Sequence, residues 1–445
     1  MAGQSVVGEM PMRLKKWLLK RSVVLGLIIL VALSLTLANI LPQRGVLEGN
    51  SVNPRTVSSP ELSLLIRWLG LDHIVTTVWF ALLSAFFVFS LLLSTYDQFQ
   101  NVRKRIRAVP PVARGDEQVL TVGIDDFLKG LRSEGYRLVA GNAGSDRFLK
   151  MTCGYWGSFL LHLGITLTVL FSLVYILTEH RVIIRVVQGD RGNIGDLIYA
   201  ERRGSLPAGL SLPKSVILKK INPVFWDNDQ IKSLSSELLF YDQHEMPTRI
   251  SIGINDKGKY NGFTVYQRST YGNIFLVEFS DGNGPFLMPL YLPMPKNRDS
   301  AGYGNFEVGD GRFRLKAKYF ADAAKKEMIS DNPLLVLRLY DGEKMLEETP
   351  LMKNGAGSLG PYTVHLVSIG WWEELLVEGS RGMGGIFLGF LVLLSGGVLG
   401  FFAVPREVLI YKGPKGYTFR WHAANFTDFY REEGERIQSY ARGES

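Results

Sequence analysis

One cysteine among 445 residues, Cys153, leaves the chain without an internal disulfide and without a Cys-x-x-Cys redox pair, which disfavours thiol chemistry by this chain alone. Charge is missing in a patterned way. Residues 22–41, 74–95, 155–177 and 384–404 contain no Asp, Glu, Lys or Arg over about twenty residues each, the length a helix needs to cross a hydrocarbon core. Also absent are a phosphate-binding glycine loop, a Gly-x-Ser-x-Gly elbow and a zinc-ligand cluster. The adjacent carboxylates Glu373 and Glu374 point apart in a strand and carry no catalytic signal.

The charge that is present gathers at the ends of the apolar stretches. Arg13, Lys15, Lys16, Lys20 and Arg21 precede the first; Arg103, Lys104, Arg105 and Arg107 follow the second; Arg406, Lys412 and Lys415 follow the fourth. Between the first two stand only Arg44, Arg55 and Arg67. Positive residues stay on the cytoplasmic side, so both termini and the middle loop are expected there, and residues 178–383 are expected outside. These clusters account for the formal net charge of +8. They form no basic stripe interleaved with aromatics, so no nucleic-acid partner is expected. The first stretch exceeds a signal-peptide core, and "LANILPQRG" is a poor cleavage site, so it reads as a retained anchor.

The expected fold class is an integral membrane α-helical protein with four transmembrane helices and a β-rich extracytoplasmic domain of sandwich type. Residues 1–21 form a cytoplasmic N-terminus, 22–41 a first span, and 42–73 an outer loop. In that loop "SSPELSLLIRWLG" reads as a helix lying along the membrane surface. Residues 74–95 form the second span, 96–154 a cytoplasmic loop, and 155–177 the third span. The cytoplasmic loop holds a small α/β element, a helix from Asp125 or Asp126 to Gly135 and a strand at Tyr136–Val139. The exported domain is 178–383, the fourth span 384–404 and the cytoplasmic tail 405–445. Inside the exported domain the apolar period becomes two. Ile250, Ile252 and Ile254 share a face, and Phe313, Leu315, Ala317 and Tyr319 alternate with basic residues. Trp371 and Trp372 suit either an aromatic belt or a sheet core.

Histidine is scarce, with six in the chain, and one of them lies within a span: His162, in "CGYWGSFLLHLGITLTVLFSLVY". An ionisable side chain at that depth is costly and marks a functional position by default. Neutral imidazole is a good axial ligand for haem iron. A proton relay would need acidic partners, and the four spans contain none. A hydrogen bond to a neighbouring helix is the third reading. His73 and His180 fall at the outer ends of spans two and three, where an external ligand role competes with ordinary interfacial solvation; neither is assigned a role.

Several segments together resemble the ResB (CcsB-like) family of System II cytochrome c biogenesis proteins. "ILPQ" is similar to the family's exit from the first span, "LGLDHIVTTVWFALL" to the start of its second, and "GYRLV" with "GYWGSFLLHLGI" to the approach to its third-span histidine. "GFTVYQRSTYG" resembles its Tyr-Gln-x-Ser motif, matched by Tyr266, Gln267 and Ser269. The resemblance implies a membrane subunit that works with a CcsA (ResC) partner bearing a tryptophan-rich motif, a motif absent from this chain. The pair would export haem, keep it reduced and support its attachment to apocytochrome c. His162 is then the candidate haem axial ligand, the iron reaching it within the cofactor. No catalytic residue is implied; the chain would be a non-catalytic component of a holocytochrome c synthase complex in the bacterial inner membrane. The competing readings are a membrane-anchored sensor with an exported ligand-binding domain and an accessory transporter subunit. The tail is too short to be a signalling domain by itself.

Overall fold

The computed structural model describes residues 17–18, 20–41, 66, 68–108, 117–142, 144–206, 208–281, 284–309, 311–413 and 416–444. The chain divides into two compact units, residues 1–40, 74–176 and 382–445 in one and 41–73 with 177–381 in the other.

The first unit is built on four helices: α1 (Arg21–Ile40), α2 (Val78–Arg107), α4 (Tyr155–Thr178), whose last two residues belong to the second unit, and α5 (Met383–Phe402). A shorter amphipathic helix, α3 (Ile124–Ser133), lies between α2 and α4 in sequence. Among the described residues, three helices are long and apolar enough to cross a membrane, the ones containing α2, α4 and α5; the apolar part of α1, Ser22–Ala38, is shorter. Helix α2 outruns its apolar stretch by three turns. Thr77 caps it by accepting Phe80 N–H at 3.3 Å, and Lys104, Arg105 and Arg107 in its last turn face the negative end of the helix dipole.

Helices α4 and α5 pack through small residues. A methyl group added at Gly164 would lie 2.5 Å from Leu393 N, at Gly396 2.5 Å from Leu161 N, and at Gly154 1.7 Å from Ala403 O. Without a hydrophobic driving force in lipid, such close backbone approach is what holds helices together. The opposite side of α5 is exposed and apolar, through Phe387, Leu391, Leu394 and Val398.

The loop after α2 and the tail after α5 form one α/β domain. Strands β1 (Gln118–Val119), β2 (Arg137–Asn142) and β3 (Ser145–Lys150) come from the loop, and β19 (Arg406–Gly413) and β20 (Gly416–Ala423) from the tail. Among the described residues they make a five-stranded sheet in the order β1-β20-β19-β3-β2. Helices α3 and α6 (Arg431–Arg442) cover it, burying Phe127, Leu131, Phe148, Val408, Phe419 and Ile437 in one core. Neither the loop nor the tail has enough apolar side chains to close a core alone, which is why sequence reading treats them as separate pieces.

The second unit holds β4 (His180–Val187), β5 (Arg191–Asn193), β6 (Ile198–Arg203), β7 (Ser215–Phe225), β8 (Ile231–Tyr241), β9 (Pro247–Gly253), β10 (Gly258–Tyr260), β11 (Phe263–Asp281), β12 (Gly284–Pro293), β13 (Gly302–Val308), β14 (Phe313–Phe320), β15 (Leu334–Asp341), β16 (Lys344–Leu351), β17 (Ala356–Leu359) and β18 (Tyr362–Gly379). All the named pairings are antiparallel. The central sheet runs β10-β11-β18-β4-β6, with β12 on β11 and β17 on β18; four-stranded sheets β5-β7-β8-β9 and β13-β14-β15-β16 complete the described part.

Strands β11 and β18 are long enough to serve two cores. Val265 and Phe263 with Leu375 and Val377 belong to one, beside Leu218, Leu238 and Phe240; Phe275, Val277 and Phe279 with Val364 and Leu366 belong to the other, beside Leu315 and Leu337. The expected alternation at Phe313, Leu315, Ala317 and Tyr319 is buried as read. Ile250 and Ile252 are buried too, whereas Ile254 lies past the end of β9 and is exposed. Trp371 and Trp372 sit in β18, with Trp372 buried and donating its indole N–H to Asn273 O at 3.1 Å; they belong to the sheet. The surface helix read in "SSPELSLLIRWLG", and Pro42 and Gln43 of "ILPQ", fall outside the described residues apart from the helix's last few positions.

Candidate functional site

His162 lies in the second turn of α4, half-buried. Residues three and four positions away share its face. Each of those toward α2 touches that helix: Phe159 packs on Phe99 with ring centroids 5.5 Å apart, Ser158 reaches Gln98 at 3.5 Å, and Thr166 shares a hydrogen bond with Thr95 at 2.7 Å. The Thr166 hydroxyl also meets the His162 carbonyl at 2.8 Å, so the backbone at the histidine is tied to α2 through a threonine pair. Among the described residues the imidazole itself makes no hydrogen bond. Ile165, next on the same side, is exposed. The ring is therefore carried on a backbone tied to α2, and among the described residues its nitrogens make no hydrogen bond.

Of the other five histidines, His73 and His180 are engaged. His73 Nδ1 meets Asp72 at 2.7 Å, and His180 Nε2 meets Glu201 at 2.8 Å beside Arg203. Cys153 is exposed in the short turn before α4. Among the described residues, no group of three or more His, Cys, Asp or Glu side chains is placed to hold a bare metal ion.

A second polar constellation is not visible in the sequence. The β11–β18 register shifts between Gln267 and Tyr271, a bulge that falls on the "YQRST" segment. There Gln267 donates its amide to Glu373 Oε2 and to Ser236 Oγ, both at 2.8 Å, and Ser236 donates to the same carboxylate oxygen at 2.7 Å. Glu373 is fully buried, and desolvation pushes its pKa up to about 7 against the opposing pull of the Ser236 and Gln267 hydrogen bonds. Its neighbour Glu374 points the other way, to Arg185 at 2.9 Å and Arg268 at 3.3 Å, as strand alternation demands. Arg185 is itself stacked against Tyr199, Tyr291 and Trp372. At the bulge and its far end, Ser269 and Tyr271 line a cleft of about 510 Å³ with Phe225, Ile231 and Met294. Of the three motif residues, Gln267 belongs to the buried cluster and Ser269 to the cleft.

In the α/β domain Glu433 gathers three donors: Tyr136 hydroxyl at 3.0 Å, Lys150 at 2.9 Å and Arg406 at 2.8 Å. Arg147 pairs with Glu407 at 2.7 Å and donates to the Arg105 and Ala108 carbonyls at the end of α2. Both clusters join loop to tail.

Comparison with known families supplies the remaining constraint. A model described as the ResB-like family matches residues 22–356, three-quarters of the chain. No curated protein matches it.

Proposed function

The chain belongs to the ResB-like family, which places it in cytochrome c biogenesis, and on that premise we propose that it is the membrane subunit that handles haem for this process. In this reading α1 crosses the bilayer along with α2, α4 and α5. Both termini and the α/β domain lie in the cytoplasm, and the β domain lies outside the inner membrane. A CcsA-like subunit with a tryptophan-rich motif would complete the haem path, and apocytochrome c would receive the cargo.

The observation that carries the reading is His162. A lone histidine cannot hold a bare metal ion, which needs three or four protein ligands. Haem brings four nitrogens of its own, so a single imidazole from the chain, that of His162, would be enough to hold its iron. An imidazole that makes no hydrogen bond among the described residues, carried in an apolar helix, fits that demand. The chain's own part is to fix the imidazole through the Thr166–Thr95 contact and to keep water from the bond. The porphyrin supplies the redox chemistry when it is bound.

His162→Ala should lower the haem that co-purifies with the chain and its CcsA-like partner, read from the Soret band, and added imidazole should restore part of it. Unchanged haem content would reject the ligand role. A sensor reading is favoured by one observation, the folded α/β domain that loop and tail build together. It predicts no haem in the purified complex, so the same spectrum separates the two.

A further inference from the structure

The C-terminal end of α5 carries aromatic side chains that serve no core. Phe401 and Phe402 are 65% and 76% exposed. The loop after β20 adds two more. Phe426 packs on Phe401 with centroids 5.1 Å apart while half its surface stays open, and Phe429, edge-on to Tyr430, is 82% exposed. Ala424 N–H donates to Pro405 O at 2.9 Å and ties this loop to the chain just past the helix. The loop thus continues the apolar surface of a helix long enough to cross a membrane. Four clustered exposed phenylalanines are too many for a surface meant to face water.

At the same level stands a block of positive charge. Arg103, Lys104, Arg105 and Arg107 in the last turns of α2 are all exposed, and none has a carboxylate partner among the described residues. Arg147 fixes the level: it donates to the Arg105 and Ala108 carbonyls and pairs with Glu407, shortly past α5. Phenylalanine on an apolar face buries at the boundary of headgroups and acyl chains, and clustered cations favour anionic lipid.

We propose that residues 426–430 are an interfacial anchor that seats the α/β domain on the bilayer, and that the basic end of α2 binds anionic lipid headgroups beside it. The inference rests on the membrane reading of α5 and is independent of haem. It commits to lipid as the occupant because the phenylalanine loop is continuous with the exposed face of α5 and the adjoining cations have no carboxylate partner among the described residues. Each cation near an anionic surface favours binding by about fivefold.

The single native cysteine makes the test direct. The full chain with Cys153→Ser and one introduced cysteine, Phe429→Cys, is labelled with a fluorophore and reconstituted in vesicles carrying lipids spin-labelled near the headgroup. Strong quenching is expected at 429, and weak quenching from Asp126→Cys on the outer face of α3, a side chain 74% exposed. Quenching at 429 should increase when phosphatidylglycerol replaces part of the phosphatidylcholine, and Lys104→Gln with Arg107→Gln should remove that increase. If 429 is quenched no more than 126, the anchor is wrong; if the lipid type makes no difference, the headgroup site is wrong. Leu391→Cys at mid-α5, quenched by deep spin labels, confirms that the helix is in the bilayer. Failure there overturns the membrane reading and this proposal with it.

Discussion

Two side chains define the residue scale, and they differ in how they were found. His162 stands out in the sequence because its apolar surroundings make any ionisable group conspicuous. Glu373 does not stand out: its partner Gln267 lies 106 residues away, and adjacent glutamates in a strand are commonplace. Only the fold buries one of the pair and leaves its Oε1, like Gln267 Oε1, without a partner among the described residues. A pKa raised from 4.5 to about 7 means the folded state holds a proton that the unfolded state has released between those values. The stability this confers is complete below about pH 4.5 and is lost as pH rises to about 7, by about 3 kcal/mol at most. Glu373→Gln, neutral at every pH, should remove that slope. Thermal melts of both proteins from pH 5 to 8 measure it, with emission from neighbouring Trp372 as a local probe; parallel slopes in the two proteins would show that Glu373 does not titrate in this window.

At the scale of elements, the apolar stretches delimit the helices closely, since a run without charge has one stable form in hydrocarbon. Their ends are less legible. Helix α2 continues to Arg107 because a helix, once formed, continues through polar residues until Pro110 and Pro111 discourage it. The glycines of α4 and α5 announce close packing without saying which helix they meet. Gly164→Leu should separate the pair and lower stability in detergent by about 1–3 kcal/mol, because its first added carbon already falls on Leu393. Gly397→Ala, where an added methyl has nothing within 4 Å, is the matched control and should be neutral or slightly stabilising. Detergent-resistance melts of the two variants distinguish packing from propensity. The bulge in β11 was not readable at all, because register belongs to the pair of strands and not to either sequence.

At the scale of the whole molecule, the decisive feature is the union of loop and tail. Strand β3 lies against β19 across some 260 residues of chain, with Arg147–Glu407 between them. Ending the chain at Val404 should therefore unfold residues 117–150 as well, because Phe127, Phe148 and Leu131 lose Val408, Phe419 and Ile437. Limited trypsin digestion should then cut at Arg137 or Arg147, sites protected in the full chain; protection in the truncated form would show that the loop folds alone. The β domain shows the same logic on a larger scale, since β11 and β18 each contribute to two cores that neither half of the strand could build.

The sequence by itself determined the apolar helices, the alternating strands and the isolated imidazole, because each rests on local composition or periodicity, and its motifs carried the resemblance to the family that the comparison shows. Tertiary structure alone decided that loop and tail are one domain, that Gln267 and Glu373 share a buried hydrogen bond, and that Phe426 extends the surface of α5. Those depend on contacts between residues far apart in the chain, and no local pattern encodes which distant partner a side chain will meet.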